Sequence, residues 1–148
     1  MRKQQITVVF LLFALALMTL SGCRHTPDET QVREAIAAVA DAAEHGSPGG
    51  VIKRLTDDFD GNAGDLDRNA LAGLLRLTVL RGDHLHVTTG PITIEHHGDR
   101  MVATLSLTLA SGSHLLPDQL GIYRVESAWR RDDGQWRCYA AHWTEPGA

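Results

Sequence analysis

Cysteine is scarce in this 148-residue chain: Cys23 and Cys138 are the two it has, too few for a disulfide framework. Basic charge is scarce as well. Lys and Arg number 14 against 18 Asp and Glu, for a formal charge of −4, and the basic residues are scattered, so no footprint of a nucleic-acid binder is present. Beyond residue 20 there is no long apolar run. The run before it, 6–20, is shorter than the roughly 20 residues with which a helix crosses a bilayer, so no permanent span is expected. Also missing are a nucleophile-elbow serine, a glycine-rich phosphate loop behind a strand, and a third ligand to complete any metal pair. No cofactor, no metal and no catalytic residue is therefore predicted.

What is present begins with an export signal. Arg2 and Lys3 precede the apolar stretch, and small residues follow it at Ser21 and Gly22. The tetrapeptide Leu20-Ser21-Gly22-Cys23 resembles the lipobox of bacterial lipoproteins, in which the cysteine sulfur takes a diacylglycerol and cleavage occurs just before it. The resemblance implies a signal peptide over 1–22, lipid attachment at Cys23 and a tether over 23–26. Two or more acyl chains hold stably, because each buried methylene contributes about 0.8 kcal/mol. Arg24, where an Asp is associated with inner-membrane retention, implies an outer-membrane destination facing the periplasm. Losing Arg2 and Lys3 takes the formal charge from −4 to −6. With Cys23 acylated, Cys138 has no intrachain partner and reads as a small buried residue in a strand.

One domain is expected over 27–145. Thr26-Pro27-Asp28-Glu29 offers a helix cap, a proline at the first helical position and a glutamate three residues after the cap. Val32, Ala35, Ile36, Val39, Ala42 and Ala43 then repeat at helical spacing until the Gly46-to-Gly50 breaker, which gives a helix over 27–45. Val51, Ile52, Leu55 and Phe59 suggest a short second helix. The acidic stretch 60–65 reads as a solvated loop, since it lacks the calcium-loop pattern. Asp67 can cap a third helix with Leu71, Leu74, Leu75 and Val79 as its buried stripe and Gly82 at its end. Three helices are thus expected before any strand.

From His84 the period becomes two, with strands at about 84–96, 100–110, 121–131 and 135–144. Gly90-Pro91 suits a bulged edge strand, and Gly98-Asp99 and Asp133-Gly134 are hairpin turns. With those turns, Ile94 faces Ala103 and Ile92 faces Leu105, so the apolar face continues through Leu107 and Leu109. Tyr123, Val125, Ser127 and Trp129 then share a face with Cys138, Ala140 and His142. Arg124, Glu126, Arg130 and Arg137 fall on the other face, with Arg130 unfavourably opposite Arg137. A slip of one residue flips the last strand and brings in Tyr139 and Trp143 instead of His142.

Helices followed by an antiparallel sheet with one apolar face make an α+β plan, N-terminal helices packed on a curved four-stranded sheet. The stretch Tyr123-Arg124-Val125-Glu126-Ser127-Ala128-Trp129-Arg130, then Asp133-Gly134-Gln135-Trp136-Arg137 and Ala141-His142-Trp143, resembles the closing hairpin of the nuclear-transport-factor-2-like superfamily. That resemblance implies a cone whose mouth holds a ligand, an active site or only side chains, and it implies pairing into dimers through the outer sheet face, where Arg124, Glu126, Arg130 and Arg137 lie. Ketosteroid isomerase, in the same superfamily, uses an Asp base with a Tyr and a protonated acid, whereas the inner face here has Tyr123, Ser127 and His142 and no carboxylate.

The candidate ligand pocket is therefore Tyr123, Ser127, Trp129 and His142, with Trp129 and Trp136 also readable as core pillars. His84 and His86 share a strand face without a third ligand, and His96 and His97 point to opposite faces. Three functions stay open: a non-enzymatic binding domain for an apolar small molecule or an envelope protein, an isomerase-, dehydratase- or cyclase-like enzyme using His142 and Tyr123, and a structural module with a filled cone. Only Arg24 and His25 separate Cys23 from Thr26, which holds the domain within roughly 10 to 15 Å of its anchor. A domain held there is expected to work at the membrane surface, on a lipid-like ligand or a neighbouring envelope protein.

Overall fold

The structure, a computed structural model, describes residues 27–112 and 119–146. Cys23, Thr26 and the proposed signal peptide lie outside that range. Helix α1 (Asp28–Glu44) buries Val32, Ala35, Ile36 and Ala42, the spacing that its sequence repeats. Pro27 stands at its cap without a side-chain cap bond, while Asp28 and Glu29 put negative charge in the first turn, next to the positive end of the helix dipole. Gly46, at φ +60, ends the helix. Helix α2 (Pro48–Ile52) follows, capped by Ser47, whose Oγ accepts from the Gly50 N–H at 3.3 Å.

The expected second helix stops at Ile52. Leu55 and Phe59 belong instead to a strand, β1 (Leu55–Gly61), which pairs in parallel with β7 (Gln135–Thr144). Local periodicity does not reveal this strand for two reasons. Its partner is supplied by the far end of the chain, and a register shift between Leu55 and Asp60 breaks the alternation. Of the expected loop 60–65, Asp60 and Gly61 end β1 and residues 62–65 form the turn into β2 (Leu66–Asp67). There Asp60 accepts from the Gly64 N–H at 2.6 Å, and the Asn62 side-chain oxygen accepts from the Trp143 N–H at 2.9 Å, tying the turn to β7.

Helix α3 (Arg68–Leu80) starts where Asp67 accepts from the Ala70 N–H at 2.7 Å, as its sequence predicts. Its expected buried stripe is a correction. Ala72 is its buried residue, Leu71 and Leu75 are half-buried, and Leu74 and Val79 are exposed. The helix packs on α2, β1 and β2, at the margin of the sheet, so much of its apolar surface has no neighbour among the described residues to cover it.

The sheet has seven strands rather than four, in the order β2-β1-β7-β6-β5-β3, with β4 also on β5. The remaining strands are β3 (His84–Thr89), β4 (Thr93–His97), β5 (Arg100–Gly112) and β6 (Gln119–Asp132). Gly90 separates β3 from β4, and both run antiparallel to β5. A Cβ at Gly90 would lie 2.2 Å from the Ser106 hydroxyl, which would have to rotate away. The first hairpin keeps its predicted register, His97 opposite Arg100 and Ile94 opposite Ala103, and the second keeps its own from Asp132 opposite Gln135 as far as Trp129 opposite Cys138. Ile92, expected opposite Leu105, lies between strands and packs against the core.

One irregularity decides the inner face. The register of β6 on β7 shifts between Trp129, opposite Cys138, and Ala128, opposite Ala140, leaving Tyr139 as the extra residue. Trp136 and Cys138 face inward before the bulge, and Ala141 and Trp143 after it, opposite Ser127 and Val125. His142 is thereby turned outward, opposite Glu126, and is exposed. Tyr139 stays on the outer face, where the guanidinium groups of Arg100 and Arg130 lie 5.4 and 5.2 Å from the centre of its ring. The core that results joins Val32 and Ile36 of α1 to Phe59, Met101, Leu105, Trp129 and Trp136, each large side chain contributing roughly 1.5–3 kcal/mol by leaving water.

Candidate ligand-binding cleft

The four residues singled out in the sequence do not form one site. Trp129 is 3% exposed and donates its indole N–H to Ser127 Oγ at 2.9 Å, and that hydroxyl donates to the Ala103 carbonyl at 3.3 Å. Both are sealed members of the core, with no polar group left for a ligand. Tyr123 is half-buried on the inner face, opposite Leu107, about 13 Å along the strand from Ser127 at roughly 3.3 Å per residue. Its ring lies over Gly121, where a Cβ would approach within 2.5 Å. His142 is on the other side of the sheet, so the group Tyr123, Ser127, Trp129 and His142 is dispersed by the bulge and by burial.

A cleft of about 420 Å³ opens elsewhere, among the C-terminal ends of α1 and α3 and the start of β3. Both helices end on left-handed glycines, Gly46 and Gly82, and the chain turning away at each leaves the gap between them. Leu75, Val79 and Leu85 supply apolar walls, and Glu44, Thr78 and His84 supply polar ones. Two of those polar groups are already engaged. The Glu44 carboxylate accepts from the Val87 N–H at 2.9 Å, pinning the end of α1 to β3, and the Thr78 hydroxyl donates to the Leu74 carbonyl at 3.1 Å. The volume lies within the range of small-molecule sites, about 300–1,000 Å³. Its residues come from three elements without a shared motif. The available signal was the apolar surplus of α3, which a sheet-covering helix would have spent on the core.

On the outer face, Arg100, Arg130 and Arg137 stand in one row across three strands. Carboxylates offset this like-charge row. Asp58 accepts from Arg130 at 2.6 Å and Asp132 from Arg137 at 2.8 Å. The hydrogen bond from Arg130 holds the Asp58 carboxyl below its usual range, and the same contact raises Arg130. His84 and His86 lie exposed on the outer side of β3. Among the described residues, no group of three or more His, Cys, Asp or Glu is placed to hold a metal ion.

A curved, unclosed mixed sheet with helices against its inner face is shared with several solved structures. An NTF2-like protein from Streptomyces avermitilis, named as a candidate dehydratase, superposes with a TM-score of 0.67 at 15% identity, covering 82% of this chain and 98% of its own. This chain has the nuclear-transport-factor-2-like fold. An NTF2-like protein from Novosphingobium aromaticivorans matches with a TM-score of 0.64 at 20% identity, over 93% of this chain and 89% of that one. A third, from Pseudomonas putida and of unknown function, matches with a TM-score of 0.63 at 22% identity over 82% and 89%. No protein-family profile matches the chain, and no curated protein does. Identities this low carry the NTF2-like fold and no activity.

Proposed function

We propose that this protein is a lipid-anchored envelope lipoprotein, attached through Cys23, whose NTF2-like domain binds a small apolar ligand without transforming it. The cleft between α1, α3 and β3 carries the binding reading, because Leu75, Val79 and Leu85 face it while Glu44 and Thr78 spend their hydrogen bonds on backbone groups. An apolar guest against Leu75, Val79 and Leu85 leaves those two bonds intact, and His84, which is exposed, can keep its contact with water. The lipobox-like Leu20-Ser21-Gly22-Cys23 supports the anchor, and Arg24 supports an outer-membrane, periplasm-facing location. The enzyme alternative depends on His142 and Tyr123 acting together, and these lie on opposite faces of the sheet.

Titration with an apolar fluorescent probe, N-phenyl-1-naphthylamine, tests the binding claim. Saturable binding at one site, lost in Val79→Arg, is expected. A wild-type domain that gives no saturable signal contradicts the proposal.

A further inference from the structure

The two ends of the domain differ, and α1 connects them. Its first residue, Asp28, is ion-paired with Arg131 at the turn end of the β6–β7 hairpin. Its last, Glu44, is bonded to Val87 of β3 beside the cleft. Seventeen residues at about 1.5 Å each place those ends roughly 25 Å apart. The β4–β5 turn lies at the Asp28 end too, because Arg100 pairs directly with Arg130.

From Cys23 to Pro27 are four residue steps, spanning at most roughly 13 to 14 Å. A lipid on Cys23 would hold the Asp28 end near the bilayer, with the cleft roughly 25 Å further along α1. The side chains agree with that polarity. Among the described residues, the large apolar groups that stay exposed are Leu74, Leu77, Val79 and Leu80 on α3 and Leu120 and Ile122 on β6. None belongs to either turn, where His97, Asp99, Arg100 and Asp133 are exposed instead. A charged, polar end can rest against hydrated headgroups without inserting.

We infer that the domain stands on its own membrane through the two β-turns, 97–100 and 132–135, and presents the cleft away from the bilayer. The occupant of the turn end is the headgroup layer. This rests on the lipid anchor proposed above, and it reverses the expectation of a lipid-like ligand taken from the membrane surface: the ligand enters from the aqueous side.

The test uses the full-length acylated protein in vesicles containing a phosphatidylcholine with a nitroxide-labelled headgroup. A fluorophore is attached at Asp99→Cys or, separately, at Leu80→Cys. Both positions are exposed, Cys138 is buried, and an acylated Cys23 has no free thiol. Severalfold stronger quenching at position 99 than at position 80 is expected. The reverse order, or equal quenching at both, overturns the orientation while leaving the anchor standing. Failure of the protein to float with the vesicles refutes the anchor itself, and the orientation falls with it.

Discussion

Trp129 donates its indole N–H to the hydroxyl of Ser127 two residues earlier on the same strand, at 2.9 Å, with both side chains under 7% exposed. Ser127→Ala removes the acceptor and leaves a buried N–H unsatisfied, at a cost of about 1–3 kcal/mol. Urea unfolding should show that loss with probe binding unchanged, because neither residue lines the cleft. Weakened binding at unchanged stability would put Ser127 back in a ligand site.

The arginine row on the outer face makes stability depend on acid. Asp58 has a carboxyl lowered by its bond to Arg130, so its stabilising contribution is present above the unfolded carboxylate pKa and is lost as pH falls through the folded one. The pair is exposed, and salt screens it. Asp58→Asn should therefore be less stable than the wild type at neutral pH and low salt. That difference should shrink toward zero as pH falls below the ordinary carboxylate range, and in 1 M salt. A gap unchanged by acid would show that Arg130 does not need the charge.

Cys138 tests how tightly the bulged strand is packed. Burial pushes its thiol up to about 12, so it stays protonated, and a thiolate is the reactive form. In the acyl-free Cys23→Ser domain, maleimide at pH 7.5 should leave Cys138 unmodified until denaturant is added. Rapid labelling of the folded domain would mean that the β6–β7 bulge opens readily.

Much of this fold was legible because its signals are local. Asp67 and Gly82 bracket α3, and Asp133 and Gly134, both at positive φ, mark a primed turn that fixes the hairpin register. Strand β1 was not legible: Leu55 and Phe59, four apart, fit a short helix, and the segment becomes a strand through its parallel pairing with β7 at Leu55, Asp60 and Gly61. The bulge at Tyr139 was also silent, since neither glycine nor proline marks it, and a single extra residue reversed His142 and Trp143. The cleft depends on where α3 docks, which periodicity cannot specify. Leu74 and Val79 have helical spacing whether or not anything covers them.

Pairing through the outer sheet face is a proposal drawn from the superfamily resemblance. Arg124 and Glu126 are exposed there together with Leu120 and Ile122, a mixture suited to a two-fold interface in which each patch meets its own copy. Sedimentation of the acyl-free domain at micromolar concentration should give a dimer that Ile122→Arg converts to monomer. A clean wild-type monomer rejects the pairing.

Native mass spectrometry of the protein extracted from its membrane in mild detergent tests the central claim most directly. A chain beginning at Cys23, heavier by its acyl groups and carrying one further small molecule that Val79→Arg no longer retains, is the predicted result. A chain of the bare polypeptide mass, with neither acyl groups nor a retained molecule, would contradict both the anchor and the binding function.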